Sequence, residues 1–230
     1  MKTFSQYRAQ AREALTNQWG DAAIATIIIL LIAIAISTPS IITAAQGSEW
    51  GGSITTLLSV LIMPLQYAFY ISLLDRIRTN ETNLVNFTFN YARNHAYSNM
   101  RFLVAGLFII ILSSLIGVFT FGIGAIILSY AYSMVPYLLH DYPELTPREA
   151  LKISREMTRG HKWDLFVLDI TFIGWIILAI FTAGIGMLFV QPYMLTARAA
   201  YYEDLKAATI VDDSEITAEE ITAEDYNYMN

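Results

Sequence analysis

The sequence predicts an all-α integral membrane protein: six transmembrane helices in three helical hairpins, with amphipathic helices on the cytoplasmic surface. Three observations lead there. From Phe102 to Leu139 the chain runs 38 residues without an Asp, Glu, Lys, Arg or His. A single helix of that length would measure roughly 57 Å against a hydrocarbon core of ~30 Å, so the stretch folds back on itself. Hydrophobic residues make up 55% of the 230 and charged residues 15%, with a mean hydropathy of +0.46; soluble domains carry roughly 25% charge. All 14 Lys and Arg lie in the N-terminal segment, two long polar intervals or the end of the last span, and the short turns hold none. The positive-inside rule then places both termini in the cytoplasm.

Taken in order, Met1 to Gln18 carries Tyr7, Ala11, Ala14 and Leu15 at helical spacing among Lys2, Arg8 and Arg12, the pattern of a short amphipathic surface helix. Trp19 follows as an interfacial anchor for a first span over 22–45. Gln46 to Ser53 has turn chemistry, and 54–74 returns as the second span. Asp75 to Arg101 interleaves basic and aromatic residues. Such a strip serves single-stranded nucleic acid in some proteins, but beside a span it reads as a helix at headgroup level, and no nucleic-acid partner is expected. Spans over 102–117 and 124–139 form the central hairpin, turned at Gly117 to Gly124. Spans over 165–183 and 186–202 form the last, turned at Gly184-Ile185-Gly186.

The most patterned interval is His140 to Lys162. Arg148, Lys152, Arg155, Arg159 and Lys162 fall on one helical face, with Ala150, Ile153 and Met157 opposite. Thr146-Pro147 with Glu149 signals the helix start. A basic face of this kind is either solvated or apposed to anionic headgroups, where each cation contributes on the order of 1 kcal/mol.

An internal pseudo-repeat runs through the chain. Phe119-Thr120-Phe121-Gly122-Ile123-Gly124 recurs as Phe181-Thr182-Ala183-Gly184-Ile185-Gly186, each followed by a Pro-Tyr pair, at Pro136-Tyr137 and Pro192-Tyr193. Each unit is then a surface helix, a span, an outer turn and a span back, in a pseudo-threefold arrangement. The tail, 209–230, holds seven acids and no base; without it, 13 acids face 14 bases in residues 1–208, where the whole chain carries −6. Disorder and a cytoplasmic docking role for a protein partner are the expectations for such a segment.

Chemistry is harder to find. With no cysteine, thiolate sites and disulfides are excluded, and the three histidines, His95, His140 and His161, have no metal-site spacing. Gly-x-Ser-x-Gly, Walker and dinucleotide motifs are absent. No catalytic residue, cofactor or metal is expected, and the chain is read as a non-enzyme. Within the spans, Asp169 and Arg198 fall at nearly equal depth either side of the Gly184 turn, placing them as an intramembrane ion pair that locks the last hairpin, in preference to a proton or ion relay. Gln66, Gln191 and the tyrosines at 67, 130, 132 and 193 are candidates for a polar crevice or for interhelical hydrogen bonds.

From Ala131 to Tyr202 the motifs Ala131-Tyr132-Ser133-Met134-Val135-Pro136-Tyr137, Gly160-His161-Lys162-Trp163-Asp164-Leu165-Phe166, Phe172-Ile173-Gly174-Trp175, Gly184-Ile185-Gly186 and Pro192-Tyr193 occur in order. They resemble those of the bacterial "domain of unknown function 975" integral membrane proteins, although Gly124-Ala125 stands where that family often has Pro-Gly. The resemblance implies a multi-span protein of the bacterial inner membrane and carries no activity. In physical terms, Gly160 ends the basic helix, His161 and Lys162 reach headgroup phosphate, Trp163 anchors the fifth span, and Gly174 admits close helix approach. The expected function is a lipid-interacting scaffold or accessory protein of the cell envelope, with anionic lipids as partners. A small-solute or ion transporter using the seams between hairpins is the alternative.

Overall fold

The computed structural model describes residues 2–45, 62–79 and 83–228, with side chains at 2–36, 38, 62–79 and 83–209. Among them every regular element is a helix. In chain order these are α1 (Phe4–Ala14), α2 (Trp19–Ala45), α3 (Met63–Thr79), α4 (Leu84–Asn94), α5 (Ala96–Phe119), α6 (Ile123–Ala131), α7 (Val135–Asp141), α8 (Pro147–Met157), α9 (Lys162–Ile170), α10 (Ile173–Phe181) and α11 (Met187–Tyr228). The turn expected at 46–53 and the start of the second span, 54–61, lie outside the described residues, as do the tail's side chains beyond Thr209.

Four helical stretches are long and apolar enough to cross a membrane: Trp19–Ile36, Ala96–Phe119, Ile123–Asp141 and Lys162–Phe181. This is a membrane protein by the length and composition of its helices. Two of the four stretches are interrupted. Where one span was expected over 124–139, α6 ends at Ala131 and α7 starts at Val135. Pro136 opens the second piece because it lacks an N–H and its ring crowds the carbonyl four residues back. The stretch expected over 165–183 breaks at Thr171–Phe172 between α9 and α10.

The short helices α1, α4 and α8 are each 11 residues long and each begins on a side-chain cap. Thr3 accepts from the Gln6 amide and Thr146 from the Glu149 amide, both in reciprocal capping boxes, while Asn83 accepts from Asn86 at 3.0 Å. Their apolar faces turn inward. Tyr7, Ala11 and Ala14 of α1 are buried against α11, Leu84, Thr88 and Tyr91 of α4 against α3, and Ala150, Leu151 and Met157 of α8 against α7 and neighbours. The apolar stripe of α1, tyrosine and small residues, is seated on protein.

The packing order is cyclic. α3 packs against α4 and α5, α7 against α8, and α11 against α1 and α2, so α3 and α7 each hold the short helix that follows and the last helix holds the first. Long buried runs fall in α3, α7 and α11: Val135 to Leu139 is buried without interruption, as are Ile71 to Leu74 and Ala199 to Tyr202. α2, α5 and α10 instead expose Leu31, Ile111 and Ile180 among many large apolar side chains, the surface a lipid environment covers.

The two repeated turns are built alike. Phe121 and Gly122 have φ of 50° and 86°, and Ala183 and Gly184 have 52° and 87°. Gly122 donates to the Gly117 carbonyl at 2.8 Å and Gly184 to the Ala179 carbonyl at 2.9 Å. Two residues later, Gly124 and Gly186 each donate 2.9 Å to the hydroxyl of Thr120 or Thr182. A Cβ on Gly124 would meet Thr120 Oγ1 at 2.7 Å, and one on Gly186 would meet the Ala179 Cα at 2.8 Å. Both glycines are therefore required by close approach.

Candidate functional site

The basic face of α8 is held outward by the opposite face. Ser154 and Thr158 donate to the Ala131 carbonyl at 2.9 and 3.3 Å, filling the open end of α6 where the helix breaks. With Ala150, Leu151 and Met157 also buried, the rotation of α8 is set, and Arg148, Lys152, Arg155 and Arg159 stand exposed. Lys162, at the start of α9, is half-buried. None of these five side chains has a hydrogen-bond or ion-pair partner among the described residues. Glu149 and Glu156 share the exposed surface. Hydrogen bonds from the Thr146 backbone and hydroxyl occupy Glu149 and hold its carboxyl below the usual range.

Gly160 sits at φ 85° just beyond the helix. The His161 Nδ1 lies 3.0 Å from Asp164, so this ring is engaged locally, and Trp163 is exposed beside Phe166 with ring centroids 5.0 Å apart. Trp19 differs, lying partly buried and edge-on to Tyr193 at 5.8 Å. No atom lies within 4 Å of a Cβ built on Gly174, and Trp175 is exposed. Among the described residues no close helix approach is made at Gly174.

Asp169 and Arg198 are brought together. The Arg198 Nε donates to Asp169 Oδ1 at 3.1 Å, its Nη2 donates to Oδ2, and the Tyr130 hydroxyl adds a bond to Oδ2 at 2.9 Å. This ties α6, α9 and α11. The remaining crevice candidates are scattered. Tyr67 stacks on Phe102 at 4.6 Å, Tyr193 meets Phe172 edge-on at 4.9 Å, and Gln66 and Gln191 are exposed.

Other polar sites were not expected. Asp141, its side chain only 5% exposed, accepts from Arg78 at 2.7 and 2.8 Å, Lys206 at 2.6 Å and Tyr202 at 2.9 Å, and Arg78 also pairs with Glu203 at 2.6 Å. Arg78 and Asp141 lie at the ends of α3 and α7 and Glu203 lies within α11, 63 and 62 residues apart. That spacing, close to the repeat period, was a signal in the sequence. Buried arginines cap helix ends elsewhere: Arg76 Nε donates to the Ala14 carbonyl of α1 at 2.7 Å, and Arg101 donates to the Leu139, Pro143 and Leu145 carbonyls at the end of α7. Nothing in their local sequence separates these from exposed interfacial arginines.

The histidines stay apart from any common centre. His95 stacks on Tyr91 at 4.1 Å, and the Tyr91 hydroxyl lies 3.0 Å from His140 Nδ1. Among the described residues no three His, Asp or Glu gather in a way that could hold a metal ion. A shallow depression on α4 is lined by Phe89, Asn90, Ala92 and Arg93, without a nucleophile or a carboxylate.

A protein-family model described as "protein of unknown function (DUF975)" matches residues 51–209. No curated protein matches the chain, and no solved structure does.

Proposed function

The chain belongs to the family of proteins of unknown function DUF975, and from that premise we propose that it is a non-enzymatic, lipid-interacting scaffold or accessory protein of the bacterial inner membrane. The observation that carries this reading is the basic face of α8: four exposed cations on a helix whose other face is locked onto the bundle, with no hydrogen-bond or ion-pair partner among the described residues. Long cationic side chains on a helix at the membrane boundary extend to anionic headgroups while their stems stay on apolar surface. His161 and Lys162 continue the surface toward Trp163, whose exposed ring suits the headgroup level.

In this proposal the chain crosses the membrane six times, α3 and the first part of α11 completing the count as returning spans. The like-built outer turns and the cyclic packing of the short helices support that arrangement. The absence of Lys and Arg from the outer turns supports cytoplasmic termini. Transport through seams between hairpins is the lesser reading, because Asp169 and Arg198 are spent on each other and on Tyr130.

Native mass spectrometry of the full chain, extracted gently from its own membrane, tests the proposal. A stoichiometric anionic lipid that is lost when Arg155, Arg159 and Lys162 are replaced by Gln supports it. A folded protein that carries no lipid, or keeps it after those substitutions, refutes it.

A further inference from the structure

The acidic tail and the basic face of α8 carry opposite charge, seven carboxylates against five cations, and the fold brings their roots together. Resting on the lipid-binding reading above, we infer that the tail of this same chain, residues 210–230, docks on the α8 cations and competes with anionic lipid for them. The tail contributes seven carboxylates and no base. The face it would meet offers Arg148, Lys152, Arg155, Arg159 and Lys162, all without protein partners among the described residues. On α8 itself Glu149 and Glu156 oppose it, with Glu144 exposed just before the helix and Asp164 two residues beyond Lys162; Glu149 is already engaged by Thr146 and Asp164 by His161.

Proximity follows from the last well-packed turn of α11. Lys206 bonds Asp141 at the end of α7, and its ammonium lies 5.1 Å from the centre of the Tyr142 ring. Tyr142 is six residues before Arg148, a separation of at most about 21 Å of chain. α11 and α8 are also in direct contact. The tail therefore leaves the bundle beside the N-terminal end of the basic helix. Seating the tail there requires α11, which continues as a helix to Tyr228, to bend beyond Lys206; the 21 residues then span about 32 Å even as a helix, against about 16 Å for α8, enough to lie along that face.

Such a contact regulates lipid binding without moving the bundle. The tail is tethered, so its carboxylates act at high effective concentration. Exposed pairs are individually weak and screened by salt. A membrane rich in anionic lipid displaces the tail, whereas a neutral one leaves it seated. The displaced tail is then free for other cytoplasmic partners.

The absence of cysteine makes the test direct. Spin labels on Lys152→Cys and Glu220→Cys, in the full chain in nanodiscs, report the distance by double electron–electron resonance, with unlabelled protein added to exclude contacts between copies. In neutral phosphatidylcholine discs a short, narrow distance is expected. It should lengthen in 1 M salt, where the Debye length is about 3 Å, and in discs containing phosphatidylglycerol. Replacing the other six tail acids by Asn or Gln should abolish the short distance and tighten phosphatidylglycerol binding about tenfold, the factor carried by a few exposed ion pairs. A long distance in neutral discs at low salt overturns the inference, whatever the lipid result. A short distance insensitive to salt and to tail neutralisation overturns it too. A short, salt-sensitive distance with phosphatidylglycerol binding that is indifferent to the α8 cations refutes the lipid-binding reading and leaves the tail contact standing.

Discussion

Separating Asp169 from Arg198 should reveal a coupled pair whose members cost more singly than together. Asp169 has 15% of its side chain exposed and Arg198 31%. Leaving one partner of a buried pair alone costs about 3–5 kcal/mol. Partial exposure of the guanidinium returns some of that to water, so about 2–3 kcal/mol is expected for Asp169→Asn. In that variant Tyr130 still finds an acceptor. Arg198→Met strands the carboxylate, which has less water and keeps only the Tyr130 hydroxyl, so its cost lies at the upper end, about 3–4 kcal/mol. The double variant removes both charges, and a coupling of about 1–3 kcal/mol should appear as non-additivity.

The four tryptophans supply a fluorescence signal for thermal unfolding in detergent. At about 2–4 °C per kcal/mol for a chain of this size, the singles should lower Tm by roughly 4–16 °C, and the double by less than their sum. Additivity within about 0.5 kcal/mol would refute the lock, since independent sites behave that way. Singles that leave Tm unchanged but alter ion flux in liposomes would move the pair to the transport reading.

Three further outcomes follow from the same geometry. Arg101→Met strips the donors from three carbonyls at the end of α7 and should cost about 3–5 kcal/mol by thermal unfolding, with Arg101→Lys recovering only part because an ammonium cannot fork across them; a loss under about 1 kcal/mol would mean that water caps that end. Gly186→Ala drives a Cβ to 2.8 Å from the Ala179 backbone and should destabilise more than Gly174→Ala, which meets open space and gains helix propensity of about 1 kcal/mol; equal Tm values would contradict the tight turn. For Asp204, burial by itself raises the carboxyl, but bonds from the Lys2 side chain and backbone and from the Tyr7 hydroxyl outweigh it and hold it below its ordinary value of 3.8. The stability it contributes is therefore fully present above that value and lost as pH falls through the lower, folded-state value. Unfolding from pH 6 down to pH 3 should show a steeper acid loss for the parent than for Asp204→Asn, and parallel curves would remove α1 docking from the acid response.

The short helices mark where local and tertiary information part. Thr146, Pro147 and Glu149 announce the start of α8 in four residues, and the capping box forms there because cap chemistry involves only neighbours in the chain. The same holds for the Thr-x-Gly-Ile-Gly turns, where the hydroxyl, the left-handed glycine and the close-approach glycine lie within five residues. By contrast, Tyr7, Ala11 and Ala14 announce an apolar stripe without saying whether lipid or protein covers it, and α11, nearly 200 residues away, decides. Arg76 and Arg101 were equally opaque. A guanidinium in a polar interval looks the same whether it faces water or caps a helix end brought in from elsewhere.

By itself the sequence determined the helical character, the apolar stretches long enough for a bilayer, the family, the outer turns and the basic face of α8, because each depends on hydrophobic period, charge placement or cap chemistry within a few turns of helix. Only the tertiary structure decided that α3, α7 and the first part of α11 are buried, that Arg78, Asp141 and Glu203 of those three helices meet, and that the first short helix packs against the last helix. Those outcomes rest on desolvation and on unfilled carbonyls at helix ends, whose cost depends on which distant segment arrives to satisfy them.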